Sequence, residues 1–266
     1  MKTKQSADPG KILIDCQTCG AMFPVDDFRN DELSEVTYSC YELHRICPFC
    51  ELQQESFKIN EEIRKKQMEM EEKLPELLEQ SGIEYYYSHD RTTGKIFREP
   101  PCRYLAEWIY RNRNSNLLIS GITGCGKSTS ASFIATRMIR EGKNVCYTTL
   151  RKLLSDWRAA KTSDRDYATE MMLQAIFTKD LFIIDEIVGK AKISESGQEL
   201  LFEIIESVNS GVCRSKIWLL GNFYTGSIEE IFTDSDPIRR RLHENFTCIT
   251  ADKSNKKITN LTVWKE

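Results

Sequence analysis

From about residue 103 onward, short apolar runs alternate with segments whose apolar residues recur every three or four positions. A run of four or five apolar residues bounded by turn formers reads as a buried strand; the three-to-four spacing reads as a helix with one buried face. Strands are therefore predicted at Leu117 to Ser120, Asn144 to Thr149, Leu181 to Asp185, Ile217 to Asn222 and Phe246 to Thr250. Ala131, Ile134, Ala135, Met138 and Ile139 mark the inner face of one intervening helix, which Gly142 can end. Ser196 followed by Glu199 predicts a capping box opening another, with Leu201, Ile204, Ile205 and Val208 inward and Gly211 past its end. Asp236 and Pro237 predict the start of a third, which carries Arg239, Arg240 and Arg241. Strands alternating with helices in this way imply an α/β domain built on a five-stranded parallel sheet with helices on both faces.

The chain before residue 103 has a different pattern. Over residues 51 to 80, Ile59, Ile63, Met70, Leu74, Leu77 and Leu78 fall near one stripe of a 3.6-residue repeat, which predicts an amphipathic helix. Pro75 lacks a backbone donor and disfavours helix at Leu74, so a break is expected there, with a second short helix ending before Gly82. This segment reads as a connector packed on its own protein. Residues 1 to 50 hold short apolar runs, turn formers and two C-x-x-C pairs, the composition of a module stapled by metal. The organisation expected is a zinc-binding module at 1 to 50, a helical linker at 51 to 102 and the α/β domain at 103 to 266.

Bulk composition narrows the function classes. A chain of 266 residues holds one core of ordinary size and a small appendage. No apolar leader opens the sequence and no run approaches the length needed to cross a bilayer, so a cytoplasmic protein without a membrane partner is expected. In a reducing compartment, paired cysteines read as metal ligands rather than disulfides. The net charge of -3 excludes bulk attraction to polyanions, so nucleic-acid contact requires a local patch. From Arg137 to Arg165 eight Lys and Arg face only Glu141, Asp156 and Asp164, which makes that stretch the candidate DNA face. A solvated helix face would have the same composition.

The strongest chemical signal follows the strand at 117 to 120. Gly121-Ile122-Thr123-Gly124-Cys125-Gly126-Lys127-Ser128 matches G-x-x-x-x-G-K-[ST], with Thr129 next in the helix that begins at Lys127. Backbone amides wrap a polyphosphate only where glycine permits close approach, and the helix start adds free N–H groups and a positive dipole end. Lys127 is expected to reach the β- and γ-phosphates and Ser128 to hold magnesium. Leu181-Phe-Ile-Ile-Asp185-Glu186 ends a strand buried on both faces in two carboxylates, Asp185 to support magnesium and Glu186 to activate water as general base. Asn222, at the end of another apolar strand, is suited to hydrogen-bond the γ-phosphate or the lytic water; a turn-forming Gly-Asn pair is the plainer reading.

Cys16, Cys19, Cys47 and Cys50 form two C-x-x-C knuckles separated by 27 residues. Two such knuckles place four thiolates for a tetrahedral zinc, a closed shell with a structural role. Cys40 and His44 offer an alternative mixed set.

This series of phosphate loop, Asp-Glu strand end, Asn strand end and late arginine helix resembles the AAA+ ATPases, within them the DnaC/DnaI helicase loaders and the IstB-like transposition helpers. The resemblance covers roughly residues 103 to 250. It implies nucleotide chemistry at Lys127, Ser128, Asp185, Glu186 and Asn222, and an arginine finger for a neighbouring subunit, best matched by Arg241 before Leu242, with Arg239 and Arg240 as alternatives. So few residues follow Arg241 that a lidless core is expected, with Ile258 to Trp264 strand-like. A loader of this kind would bind ATP, Mg2+ and Zn2+, assemble as a homo-oligomer, and deliver a replicative helicase to single-stranded DNA. A transposase-delivering helper, a nucleotide-binding adaptor with little turnover, and a small-molecule kinase are the competing readings.

Overall fold

The computed structural model describes residues 4–5, 11–26, 46–159, 165–187, 193–223 and 235–251. They fall into two compact units, 1–70 and 71–266. The expectations for Cys40, His44 and the strand-like Ile258 to Trp264 lie outside the described residues.

In the first unit, β1 (Lys4–Gln5), β2 (Lys11–Asp15) and β3 (Met22–Asp26) form an antiparallel sheet in which Ile14 pairs with Phe23 and Asp15 with Met22. The long helix α1 (Pro48–Gln80) gives its residues up to Met70 to this unit and the remainder to the second. Two expectations for α1 are corrected. The helix is continuous through Pro75. Proline inside a helix costs about 3 kcal/mol, whereas Leu74 and Leu78 are almost completely buried, and burying each leucine returns about 1.5–3 kcal/mol. Packing therefore outweighs the local break. The stripe is also not packed along its whole length: Ile59 and Ile63 are about half exposed, and only the C-terminal end is buried.

In the second unit, α1 ends at Gln80, Gly82 follows at positive φ, and then come α2 (Tyr85–Ser88) and α3 (Arg103–Arg111). The core then alternates β4 (Asn116–Gly121), α4 (Lys127–Arg140), β5 (Val145–Thr149), α5 (Leu150–Ala159), α6 (Arg165–Phe177), β6 (Leu181–Asp185), α7 (Glu195–Asn209), β7 (Lys216–Leu220), α8 (Ser235–Asn245) and β8 (Phe246–Ala251). The five strands expected from the sequence pair in parallel in the order β5-β6-β7-β4-β8. Side chains on a strand alternate between faces, and the core divides accordingly. Leu117, Ile119, Ile183 and Trp218 pack with α1, α3 and α4 on one side. Leu118, Phe182, Ile184 and Leu219 pack with α5, α6, α7 and α8 on the other. Helices thus cover both faces of the sheet.

The helix ends show where local signals held. Gly142 and Gly211 follow α4 and α7 with positive φ, as a left-handed terminus requires. The predicted capping box does not form as expected: α7 begins at Glu195 with Ser194 as N-cap, and Ser194 makes no side-chain capping bond. A Cβ on Gly197 would lie 2.6 Å from the Ile193 side chain, so close packing rather than a serine hydroxyl fixes this helix start.

Candidate functional site

Strand order assembles the site. In parallel sheets the loops at the C-terminal strand ends gather side chains from neighbouring strands. β7 lies between β4 and β6, so the loop after β7 stands between the phosphate loop and the acidic strand end. Backbone bonds knit the three together: Gly221 N donates to Ile119 O at 3.0 Å, Gly121 N to Phe223 O at 2.9 Å, and Ile187 N to Leu220 O at 3.0 Å.

Gly121, Gly124 and Gly126 all have positive φ. At Gly121 the need for glycine is specific: a Cβ would sit 2.1 Å from the carbonyl oxygen of Ala251 on β8. This glycine therefore answers first to the neighbouring strand. Ile122, Cys125, Gly126, Ser128 and Thr129 are half-buried, and Thr123 and Gly124 are exposed on the loop. Lys127 opens α4 and is buried. Its ammonium donates to Gly121 O at 2.8 Å, Ile122 O at 3.0 Å and Asn222 Oδ1 at 2.9 Å. The structure thus brings Asn222 onto the phosphate-loop lysine from 95 residues away in sequence.

Asp185 ends β6, and both of its oxygens are engaged. Glu186 N donates to Oδ1 at 2.7 Å, and the Tyr147 phenol donates to Oδ2. Glu186 itself is exposed and takes φ 53, a left-handed conformation that is uncommon for a non-glycine residue and concentrates at functional sites. Two tyrosines that sequence reasoning missed complete the cluster. Tyr147 is buried on β5, and burial together with the Asp185 charge holds its phenol well above the ordinary range. Tyr87, on α2, is raised by burial first and then by the carboxylates of Asp185, Glu84 and Glu186. The only sequence signal for either was a tyrosine on a strand next to the acidic one and a tyrosine in the run 85 to 87. Hydroxyl and carboxylate oxygens are the hard donors magnesium takes, so Ser128 and Asp185 fit a magnesium site.

The late arginines are placed differently from one another. Arg241 lies beside Glu206 on α7, with Nε 2.5 Å from Oε2 and its guanidinium over the Phe202 ring. Arg240 is largely exposed and pairs with Glu244 one turn on. The Arg239 side chain lies outside the described residues. In the basic stretch, Arg137 pairs with Glu141, Arg140 with Glu71 and Lys143 with Asp180, which leaves less free charge than the sequence count implies.

In the first unit the Sγ atoms of Cys16, Cys19, Cys47 and Cys50 lie within 4.8 Å of one another. Cys19 and Cys47 are 3.8 Å apart, matching the edge of roughly 3.8 Å of a tetrahedron with zinc–sulfur bonds near 2.3 Å. Cys47 N donates to Cys16 Sγ at 3.3 Å. That amide is the first cause lowering the Cys16 thiol to about 6; burial and shared bonds to the neighbouring thiols push Cys50 up to about 12. The set therefore does not favour four thiolates by itself, and a divalent cation would supply the missing positive charge.

Among the described residues no helix is long and apolar enough to cross a membrane. In comparisons with known proteins, residues 51–235 match the family described as IstB-like ATP binding protein. The ATP-binding protein of insertion sequence IS1162 from Pseudomonas fluorescens is 29% identical over 117 residues, 44% of this chain and 49% of that protein. The chain thus matches about half the length of this relative. Among solved structures, the DnaC helicase loader aligns at 12% identity and a TM-score of 0.46, over 63% of this chain and 98% of its own. DnaI aligns at 15% and 0.44, over 62% of this chain and 92% of its own. DnaA bound to AMPPCP, from Aquifex aeolicus, aligns at 16% and 0.44, over 58% of this chain and 46% of its own. At TM-scores below one half these three likenesses carry no weight for function.

Proposed function

The chain belongs to the family of IstB-like ATP-binding proteins, and from that premise we propose that it is an AAA+ ATPase whose nucleotide cycle delivers a partner protein onto DNA. The observation that carries the reading is the convergence of Lys127, Asn222, Asp185 and Glu186 at adjoining strand ends, each on the element its role demands. Gly124 and Gly126, both at positive φ, let the loop backbone come close to phosphates, and Lys127 exchanges its carbonyl and Asn222 contacts for phosphate oxygens. Ser128 and Asp185 would hold magnesium, which would offset the negative charge that develops on the phosphates. Glu186, exposed beside them, accepts the proton of the attacking water. Asn222, able to donate and accept at once, orients that water or the γ-phosphate. The four paired cysteines would hold a structural zinc.

For the partner, the motif series of phosphate loop, Asp-Glu, Asn and late arginines, which resembles that of the DnaC/DnaI loaders, suggests a replicative helicase placed on single-stranded DNA, with ATP stabilising a homo-oligomer and an arginine of α8 reaching a neighbour's γ-phosphate. Arg240 need leave only an exposed pair with Glu244, whereas Arg241 must leave the less exposed Glu206 and the Phe202 ring. The insertion-sequence relative supports a second reading, delivery of a transposase. Both are tested with Glu186→Gln, which should bind ATP normally and lose hydrolysis by about 100-fold or more. Captured with ATP from native cells, that trapped form should retain a hexameric helicase under the first reading and a transposase under the second. Unchanged hydrolysis in Glu186→Gln would remove the catalytic assignment and leave an adaptor with little turnover.

A further inference from the structure

Helix α1 carries an open apolar seam. Phe49, Leu52, Ser56, Ile59, Ile63, Lys66 and Met70 follow one another at alternating spacings of three and four residues, and all but Ser56 and Lys66 are large and apolar. A strict seven-residue repeat of this kind keeps one stripe of a helix facing a second helix through a left-handed supercoil. Phe49 is 67% exposed, Leu52 63%, Ile59 57% and Ile63 48%, so the described residues leave the seam uncovered. Phe57 and Met68 are exposed as well, but the helical repeat puts them on the other side. The seam stops at Met70, because Leu74 and Leu78 are buried in the second unit's own core.

The flanks of the seam decide what can cover it. In a heptad written abcdefg, Phe49, Ser56, Ile63 and Met70 are a positions and Leu52, Ile59 and Lys66 are d positions. Glu55, Glu62 and Glu69 then fill g, and Gln53, Asn60 and Gln67 fill e. In a parallel pair of helices each g faces the e of the next heptad across the seam, so Glu55 meets Asn60 and Glu62 meets Gln67 of the other copy. An amide can donate to a carboxylate, and no like charges face each other there. In an antiparallel pair g faces g, which sets glutamate against glutamate. A second copy therefore matches the seam and both flanks in one orientation. Pairing requires no new helix nucleus, because α1 is already continuous through Gln80. Ser56 and Lys66 weaken the seam but fix its register, as polar seam residues do. We propose that α1 pairs with α1 of a second copy of this chain as a parallel two-helix coil from Phe49 to Met70. This contact needs no nucleotide and is distinct from the ATP-stabilised assembly proposed above. It gathers two cysteine clusters at one end of the coil, since Cys50 lies in the first turn of each α1.

The test is sedimentation velocity on the full-length, zinc-supplemented protein without nucleotide, over a concentration series. Wild type should show a reversible equilibrium between monomer and dimer. Ile59→Gln combined with Ile63→Gln changes two exposed positions and keeps good helix formers there, so helix content by circular dichroism should stay that of wild type. The dimer should nevertheless weaken by about a hundredfold or more, because two isoleucines from each copy leave the seam. Asn60→Lys combined with Gln67→Lys reads the orientation as a gain. In the parallel coil the new ammonium groups face Glu55 and Glu62 of the other copy, and the dimer should tighten by about five- to tenfold at low salt and lose that gain at high salt. In an antiparallel pair the same lysines would face each other. A wild type that stays monomeric at every concentration overturns the proposal and leaves the seam to a helix of another protein. A dimer indifferent to the isoleucine variant also overturns it, since the contact then lies elsewhere. A dimer weakened or unchanged by the lysine variant overturns the parallel arrangement. None of these outcomes bears on ATP binding, so the nucleotide site stands or falls separately.

Discussion

Replacing Asn222 by aspartate asks whether this residue faces phosphate or merely forms a turn. Asp and Asn have nearly the same shape and the same tolerance for turns, so backbone preference is left as it was and only a charge is added. In the nucleotide-free protein the new carboxylate would lie at the 2.9 Å now separating Asn222 Oδ1 from the Lys127 ammonium. Two unit charges at that distance interact by about 1.4 kcal/mol at the dielectric of water and about 3 kcal/mol at half that value. Because Asn222 is exposed, the lower figure is the relevant one. A triphosphate that recruits Lys127 must overcome this pairing and also meet a like charge. Every 1.4 kcal/mol is tenfold in affinity, so Asn222→Asp should weaken ATP binding by about tenfold or more. ADP, which lacks the γ-phosphate, should be weakened less. Calorimetry with both nucleotides measures the difference, and thermal melting should show a fold as stable as wild type or more so. Equal affinity for ATP in wild type and Asn222→Asp would place this residue away from the phosphates and refute the argument.

Other substitutions probe the remaining assignments. Gly121→Ala forces a Cβ to 2.1 Å from Ala251 O at φ +134 and should cost more than about 3 kcal/mol of stability; Gly142→Ala, with φ +81 and open space, should cost only about 1–2 kcal/mol. Denaturant unfolding separates the two. Removing zinc with a strong chelator should abolish the protease resistance of residues 11–26 and 46–50, because among the described residues only the half-buried Phe23 and Ile46 pack beside the buried Cys16, Cys47 and Cys50. ATP affinity should persist, since its residues belong to the second unit. Arg240→Ala should leave the melting temperature unchanged, whereas Arg241→Ala should lower it by breaking the pair with Glu206 and the stacking on Phe202. If Arg240→Ala also halts ATP turnover in the assembled protein, Arg240 is the finger.

The sequence by itself determined what depends on residues a few positions apart. The phosphate loop is legible because a helix start, three positive-φ glycines and a lysine must follow one another within a single turn of chain. The strands are legible because β4, β6 and β7 are buried on both faces and so become continuous apolar runs, and the cysteine knuckles because two thiols at i and i+3 share a turn. Everything that depended on which elements become neighbours was left to the tertiary structure. Sheet order put β7 between β4 and β6, which is what carries Asn222 to Lys127. The register of β5 on β6 aimed Tyr147 at Asp185, and burial of Leu74 and Leu78 carried α1 through Pro75 against the local preference. Packing of α8 on α7 gave Arg241 to Glu206. No spacing in the chain announces these contacts, because each partner satisfies its own strand or helix equally well alone, and the free energy that selects the pairing arises only when the faces of the sheet are covered.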